Sequence, residues 1–299
     1  MRKRLAQAFF AVTCLAVVAC AECANDHRSD DHGSDKHGGI VVIDFNITGT
    51  TTLGSTELAR LKGDFAGSCY NDDSEEMQER LRAWFQDRGY FTAEVKSLSF
   101  KPRDPLGTPK PVTVEAEVSE GPKYKVAEIT FLENHAFSAE RLREQFPLKK
   151  GDVCARGKVA SGLEHLRKLY DSSGFLDFFS IPETEPSSNG TVALKVTVDE
   201  GPQYHMGKLA ILAGKETEAR LRARWEMAEG STYDSTYIGK FVEENHSLLP
   251  EGFTAADVRQ LINCPDAVVQ VSLIVDPREG SSVPPSKTIP CESHHDPSK

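Results

Sequence analysis

Two stretches with the same pattern decide the fold: VTVEAEVSEGP at residues 112–122 and VALKVTVDEGP at residues 192–202. In both, every second residue is apolar, and most of the residues between are polar or charged. Side chains alternate between the two faces of a β-strand, so a period of two predicts strands with one buried and one solvated face. A third alternating stretch, VQVSLIVDPREG at residues 269–280, completes the series, which indicates one structural unit used three times.

Each alternating stretch follows a helical segment that ends in a glycine and an aromatic residue. Apolar residues three and four positions apart mark one face of these segments, which close at Gly89-Tyr90, Gly174-Phe175 and Gly252-Phe253. Glycine just past the last apolar turn is typical of a left-handed helix cap. The sequence therefore predicts a helix immediately before the last two strands of every unit.

The remaining segments complete a β-α-α-β-β order in each unit. One-sided helices and one-sided strands must bury their apolar stripes against each other, so the fold class is α+β, with a helix pair on a three-stranded mixed sheet. The predicted modules are residues 40–122, 123–202 and 203–280. Their opening strands are predicted at 41–47, 126–131 and 206–212, their first helices at 55–65, 138–146 and 216–225, and their fourth elements at 93–100, 177–181 and 257–262.

The first 21 residues have the anatomy of a signal peptide. Positive charges at residues 2–4 precede an apolar stretch and then small residues, which predicts an exported protein. Ala19-Cys20-Ala21 suits ordinary cleavage, whereas residues 17–20 resemble a lipobox that would leave Cys20 acylated, and an uncleaved anchor is the third alternative. Residues 22–39 are predicted to be a disordered linker and residues 281–299 a disordered tail, because both lack core-forming residues.

Composition excludes several functions and offers no catalytic site. The formal net charge of −10 argues against binding of nucleic acid or anionic membrane surfaces, which attract clustered Lys and Arg. No spacing of nucleophile, base, metal ligand or phosphate loop stands out, so we expect no enzyme activity, metal or cofactor. Beyond the leader, the cysteines are too scattered for a disulfide framework, although a Cys264–Cys291 bridge stays open.

The β-α-α-β-β unit, the Gly-aromatic step, the alternating last strand and the closing Glu-Gly-Pro together resemble the POTRA family. These polypeptide-transport-associated modules belong to outer-membrane barrel-assembly and translocation proteins. The resemblance implies a periplasmic or outer-membrane-associated protein that binds unfolded or partly folded outer-membrane proteins, or barrel-assembly and translocation subunits. We expect no membrane barrel after the third module. The alternative is an anchored, divisome-type or assembly-complex scaffold that contacts fixed partners.

The resemblance also suggests the fourth element of each module as a sheet edge. An extended peptide can add to such an edge as an extra strand, because the edge backbone groups lack partners. The alternative is that the apolar side chains there pack under the helices, as alternation predicts for about half of them. The predicted peptide-binding edge residues are Val95, Ser97, Phe100, Phe178, Phe179, Ile181, Val258, Leu261 and Ile262.

Overall fold

The computed structural model describes residues 39–70, 74–104, 106 and 109–276. The predictions for the signal peptide, for Cys20, for most of the linker and for the tail fall outside these ranges.

The first module contains six strands and helices. They are β1 (Ile40–Thr48), α1 (Ser55–Phe65), β2 (Cys69–Tyr70), α2 (Ser74–Gln86), β3 (Glu94–Pro102) and β4 (Lys110–Ser119).

The second and third modules repeat this order without the short second strand. The second has β5 (Lys125–Leu132), α3 (Ala139–Arg143), α4 (Arg156–Asp171), β6 (Phe179–Pro186) and β7 (Thr191–Asp199). The third has β8 (His205–Leu212), α5 (Lys215–Arg224), α6 (Ser235–Glu244), β9 (Arg259–Asn263) and β10 (Val268–Ile274), with 3-10 turns at His246–Leu248 and Ala255–Asp257. The predicted threefold β-α-α-β-β order is confirmed.

Three separate sheets organise these elements, in the orders β2-β1-β4-β3, β5-β7-β6 and β8-β10-β9. The first and last long strands of a module pair in parallel in the first and third sheets, and the fourth element pairs antiparallel with the last strand. The α+β class with mixed sheets is therefore confirmed. The expectation of three strands is wrong for the first module, because Cys69 and Tyr70 add a fourth beside Val41 and Ile40.

By contacts between Cα atoms the chain forms two compact units. One contains the first module together with residues 123–127, 150–158 and 186–192, and the other contains the rest of the second module and the third. In the first unit, apolar residues of the strands and of both helices form a single core. Its fully buried members include Phe45, Leu61, Met77, Phe85 and Val114. Full burial of each such side chain contributes about 1.5–3 kcal/mol.

The third module has a core of its own within the second unit. The alternating side chains of β10, Val269, Val271 and Leu273, are fully buried there against the helix residues Leu221 and Ile238. The solvated face of the same strand carries Gln270 and Ser272, so the period of two reports burial correctly.

The described cysteines are in two states. Cys69 and Cys264 each take part in a disulfide bond. Cys291, the partner considered for Cys264, lies outside the described residues. Cys154 is a buried free thiol. Burial raises the pKa of this thiol to about 11, which keeps it protonated and unsuited to nucleophilic attack at neutral pH.

Candidate functional site

The first residues of each opening strand are paired, on their outer edge, with another segment of the same module. The covering segment lies between the two helices and follows a glycine in the left-handed region. In the first module it is β2, and in the others it is a shorter bridge. Gly67, Gly151 and Gly230 donate their N–H groups to the carbonyl oxygens of Val42, Val126 and Met206 at 2.8, 2.8 and 2.7 Å.

The opposite edge of each sheet is formed by the fourth element, as predicted: β3, β6 and β9. Within the described ranges no further strand pairs with any of the three. The outer edge of each first strand is therefore paired only where the strand begins, and the edge formed by the fourth element pairs with no further strand in the described ranges.

The direction of the backbone groups along β3 follows from its last ladder bond. Arg103 donates its N–H to the carbonyl oxygen of Pro111 at 2.8 Å. Residues of an antiparallel strand alternate between bonding their partner and pointing away from it. The strand is in register from Ser97 to Pro102, so Leu98 and Phe100 point their backbone groups away from β4. Pro102 falls in the same set, as expected for a residue without an N–H to donate.

The edge of β6 is blunted by prolines. In the hairpin that joins β6 to β7, Ser187 donates its N–H to the carbonyl oxygen of Thr191 at 2.7 Å. Continued alternation directs the backbone groups of Ser180, Pro182, Thr184 and Pro186 outward. Two of these four residues have no N–H, and proline on an edge is a common protection against strand addition.

In β9 no proline interrupts the edge. Ile262 and Gln260 lie opposite Val269 and Val271, whose side chains are in the core. The first module shows the same kind of pair: Leu98 of β3 lies opposite Ala116, whose side chain is in the core. The backbone groups of Leu98 point away from β4, so an edge residue opposite a core residue has outward backbone groups. Strand order and handedness are the same in both sheets, so Gln260 and Ile262 carry the outward groups of β9.

The glutamate of the Glu-Gly-Pro motif has the same structural role in two modules. Glu200 accepts hydrogen bonds from the N–H groups of His135 and Ala136, both at 2.9 Å, and from the hydroxyl of Tyr170 at 2.8 Å. In the first module Glu120 accepts from the N–H groups of Thr51 and Thr52 at 2.9 and 2.6 Å. The motif therefore fastens the turn after the first strand to the end of the last strand.

Comparison with known proteins identifies this architecture. Residues 124–201 match the POTRA family, described as a surface antigen variable number repeat. The solved structure of POTRA3-5 of Haemophilus influenzae BamA matches 82% of this chain and all of that chain, with a TM-score of 0.54 and 17% identity. The second module is a POTRA module. The structural match extends the POTRA fold beyond the second module, where the family match lies.

Two curated relatives match parts of this chain in sequence. An outer membrane protein assembly factor BamA of Neisseria meningitidis serogroup B is 23% identical over 183 residues, which are 56% of this chain. A Treponema pallidum protein named for outer membrane protein assembly is 24% identical over 140 residues, 46% of this chain. The matched regions span only 23% and 17% of those two proteins.

In the first module the predicted edge residues lie on β3, but their environments differ. Val95 and Phe100 are partly buried and pack against the core of the module, as the alternative reading of these side chains expected. Ser97 is exposed. Its backbone belongs to the set that bonds β4, so it offers no outward donor. The prediction from the sequence missed Leu98. Pro102 was the signal that could have shown which alternate residues of β3 point their backbone groups outward.

Two predicted edge residues are inaccessible. Phe178 lies before β6 and stacks on Tyr170 of α4, with ring centroids 4.1 Å apart and planes inclined by 13°. Val258 lies before β9 and is only 6% exposed in the core of the third module. Their inclusion in the edge was wrong, because each apolar side chain is used to close a core just before its strand begins.

The other predicted residues of the second and third modules lie on the edge strands. Phe179 and Ile181 are 51% and 42% exposed on β6. They line an open groove of about 480 Å³ on the solvated face of the second sheet. In β9, Ile262 packs against the core, and Leu261 is half-buried. Sequence reasoning missed the other groove residues, which come from the loop after β5 and from the end of β7. The alternation of β7 shows which of its side chains are solvated but not that they line a groove.

The described residues contain no group of three or more His, Cys, Asp or Glu side chains placed to hold a metal ion. The same part of the chain has no helix with the length and apolar character needed to cross a bilayer.

Proposed function

We propose that this protein binds extended segments of outer-membrane proteins during their assembly, and that the segments add as strands to the open edges of β3 and β9. The observation that carries the proposal is the direction of the backbone groups at the edges of β3 and β9. Where each first strand begins, Val42, Val126 and Met206 already bond the module's own backbone. Along β3 and β9, in contrast, backbone groups point outward at Leu98, Phe100, Gln260 and Ile262. In the described ranges these outward groups have no hydrogen-bond partner.

The names of the relatives support the cellular setting. BamA of Neisseria meningitidis is an outer membrane protein assembly factor, and the Treponema pallidum relative is named for the same process. We infer that this chain acts in the bacterial envelope, on the periplasmic side, and that it binds rather than catalyses. Its partners would be unfolded or partly folded outer-membrane proteins or other subunits of the assembly machinery.

The chemistry of an edge predicts weak and broadly tolerant binding. A backbone hydrogen bond contributes about 0.5–1.5 kcal/mol net, and a few such bonds must also offset the ordering of the peptide. Dissociation constants of about micromolar or weaker follow. Two open edges in one chain raise the local concentration of binding sites for a long unfolded partner.

A scaffold that contacts fixed partners is the second candidate, and the β6 edge favours it. Pro182 and Pro186 remove outward donors from that strand, as in proteins that resist unplanned strand addition. A protein designed only for indiscriminate capture would gain by keeping those donors. Under this alternative the open edges would serve particular folded subunits.

The decisive experiment compares proline and alanine at an outward position of β9. Gln260→Pro removes the N–H, whereas Gln260→Ala keeps it, and both lose the side chain that accepts the Tyr233 hydroxyl bond at 2.5 Å. We expect Gln260→Pro to weaken binding of barrel-strand peptides at least about three-fold relative to Gln260→Ala, the loss of roughly one hydrogen bond. Fluorescence anisotropy measures the affinity, and circular dichroism checks that both variants fold.

Leu98→Pro and Leu98→Ala form the same pair in β3. Ser97→Pro is not a suitable probe, because Ser97 bonds β4 and its proline variant would damage the sheet itself. Equal peptide affinities for the proline and alanine variants at both edges would exclude strand addition. In that case capture of folded assembly subunits by the full chain would support the scaffold.

A further inference from the structure

The open-face groove of the second module, formed by Glu133, His135, Phe179, Ile181 and residues 197–201, combines apolar and acidic surfaces. Phe179 and Ile181 provide its apolar side from β6, and both are unusually exposed for large hydrophobic residues. Large apolar side chains clustered at a concave surface are typical of binding sites.

The opposite side of the groove is negatively charged. Glu133 and Asp199 are exposed there, and none of the lining residues is Lys or Arg. On the same sheet Glu185 already pairs with Lys195 at 2.5 Å, whereas the carboxylate of Glu133 meets only the His135 ring, at 4.0 Å, among the described ion pairs. Two carboxylates without a permanent cation favour a ligand that supplies one.

The floor of the groove is held in place by the motif glutamate. Glu200 uses its carboxylate to accept from His135, Ala136 and Tyr170, so its charge is already engaged. This network positions the loop that carries Glu133 and His135 next to the end of β7. A groove with a fixed floor needs little reorganisation to bind.

We propose that this groove binds an extended polypeptide segment in which an apolar residue is followed two positions later by lysine or arginine. The apolar side chain lies against Phe179 and Ile181, and the cation lies between Glu133 and Asp199. Strands in a sheet are about 4.8 Å apart, so the groove extends roughly 10 Å from β6 across β7 to β5. Residues two apart in an extended chain are about 7 Å apart, and a long cationic side chain spans the remainder.

This inference rests on the proposed binding of polypeptides and adds a sequence preference to it. It does not rest on strand addition, because the groove uses side chains on the sheet face. The blunted edge of β6 and the exposed face of the same strand are then consistent, since the second module binds through its face and leaves edge pairing to β3 and β9.

The test uses the full chain and three labelled decapeptides that differ only at the two key positions. The first peptide has leucine and lysine there, the second has glutamate in place of lysine, and the third has serine in place of leucine. We expect the wild-type protein to bind the first about five-fold more tightly than either of the others at 50 mM salt, as two exposed charge contacts and one apolar contact imply.

Matched variants assign the preference to the groove. Glu133→Gln combined with Asp199→Asn should remove the discrimination between lysine and glutamate, and Ile181→Thr should reduce that between leucine and serine. Glu183→Gln is the control, because Glu183 is an exposed carboxylate on β6 that does not line the groove. It should change each affinity less than two-fold.

The possible outcomes separate this inference from the proposed function. Equal binding of all three peptides, or an equal effect of Glu183→Gln, overturns the groove assignment while edge addition stands. If only the groove variants lose the discrimination between peptides, the groove assignment is supported. If, in addition, Gln260→Pro and Leu98→Pro bind as tightly as their alanine controls, edge addition is overturned. Absence of binding to any peptide overturns both. If the protein dimerises, the groove variants abolish the dimer and no peptide is preferred, then a second copy of the chain occupies the groove. That result also overturns the inference.

Discussion

Tyr204 donates its backbone N–H to the carbonyl oxygen of Gly174 at 2.7 Å, where the third module begins against the last helical turn of the second. The same bond joins Tyr124 to Gly89 at 2.8 Å at the preceding boundary. Both glycines are in the left-handed region, with φ of +86° and +92°. The glycine of the Gly-aromatic step therefore serves the joint between neighbouring modules as well as the end of a helix.

Gly174→Ala should destabilise the protein more than its backbone conformation alone requires. A non-glycine residue in the left-handed region costs roughly 1–2 kcal/mol. An added Cβ would also lie 2.6 Å from the carbonyl oxygen of Tyr204, which cannot move without disturbing the joint. We expect a total loss of about 2–4 kcal/mol, measured as the free energy of unfolding of the third module in urea.

Gly230→Ala is the matched control for this joint. Its φ is +83°, yet a Cβ there would have open space within 4 Å. Its cost should be the conformational part alone, about 1–2 kcal/mol. Equal losses for the two variants would show that the close approach of Tyr204 adds nothing.

The order of strands and helices in the modules was predictable because burial repeats with the period of the elements. Val192 to Val198 alternate in the sequence and alternate in burial in the structure. The position of the fourth element at the edge was also predicted, through the family resemblance. The burial pattern does not depend on contacts between distant residues, because alternation of apolar and polar residues within one strand is enough to predict one buried face.

The direction of the edge backbone could not be read from the same pattern. A β-bulge between Val95 and Ser97 shifts the register, so the exposed serine bonds β4 and its neighbour points outward. The two-residue strand Cys69–Tyr70 is too short to show a period. The groove is assembled from side chains far apart in sequence, and its shape therefore appears only in the folded chain.

The Glu120 network predicts a pH dependence of stability. Burial alone would raise the pKa of Glu120, but hydrogen bonds from Thr51 and Thr52 outweigh it and lower this pKa below its ordinary value. A carboxyl whose pKa is lower in the folded state stabilises the protein above its unfolded pKa of about 4.5. That contribution is lost as the pH falls through the folded pKa.

Urea unfolding of the first module between pH 6 and pH 3 measures this contribution. The free energy of unfolding of the wild type should fall more steeply below about pH 4.5 than that of Glu120→Gln, which cannot titrate. Glu120→Gln should be the less stable protein at pH 6, because an amide is a weaker acceptor than a carboxylate. Parallel pH profiles for the two proteins would mean that Glu120 has the same pKa folded and unfolded.

Gly162 in α4 shows how packing can reverse a helix propensity. In an open helical position, replacing glycine by alanine stabilises a protein by about 0.5–1 kcal/mol. A Cβ on Gly162 would instead lie 2.2 Å from the ring of Phe146, which is buried beside Phe131 with ring centroids 5.8 Å apart. Gly162→Ala should therefore destabilise the protein by about 1–3 kcal/mol. Gly239→Ala in α6, where a Cβ meets nothing within 4 Å, should stabilise it, so a melting temperature that rises in both variants would exclude the steric contact with Phe146.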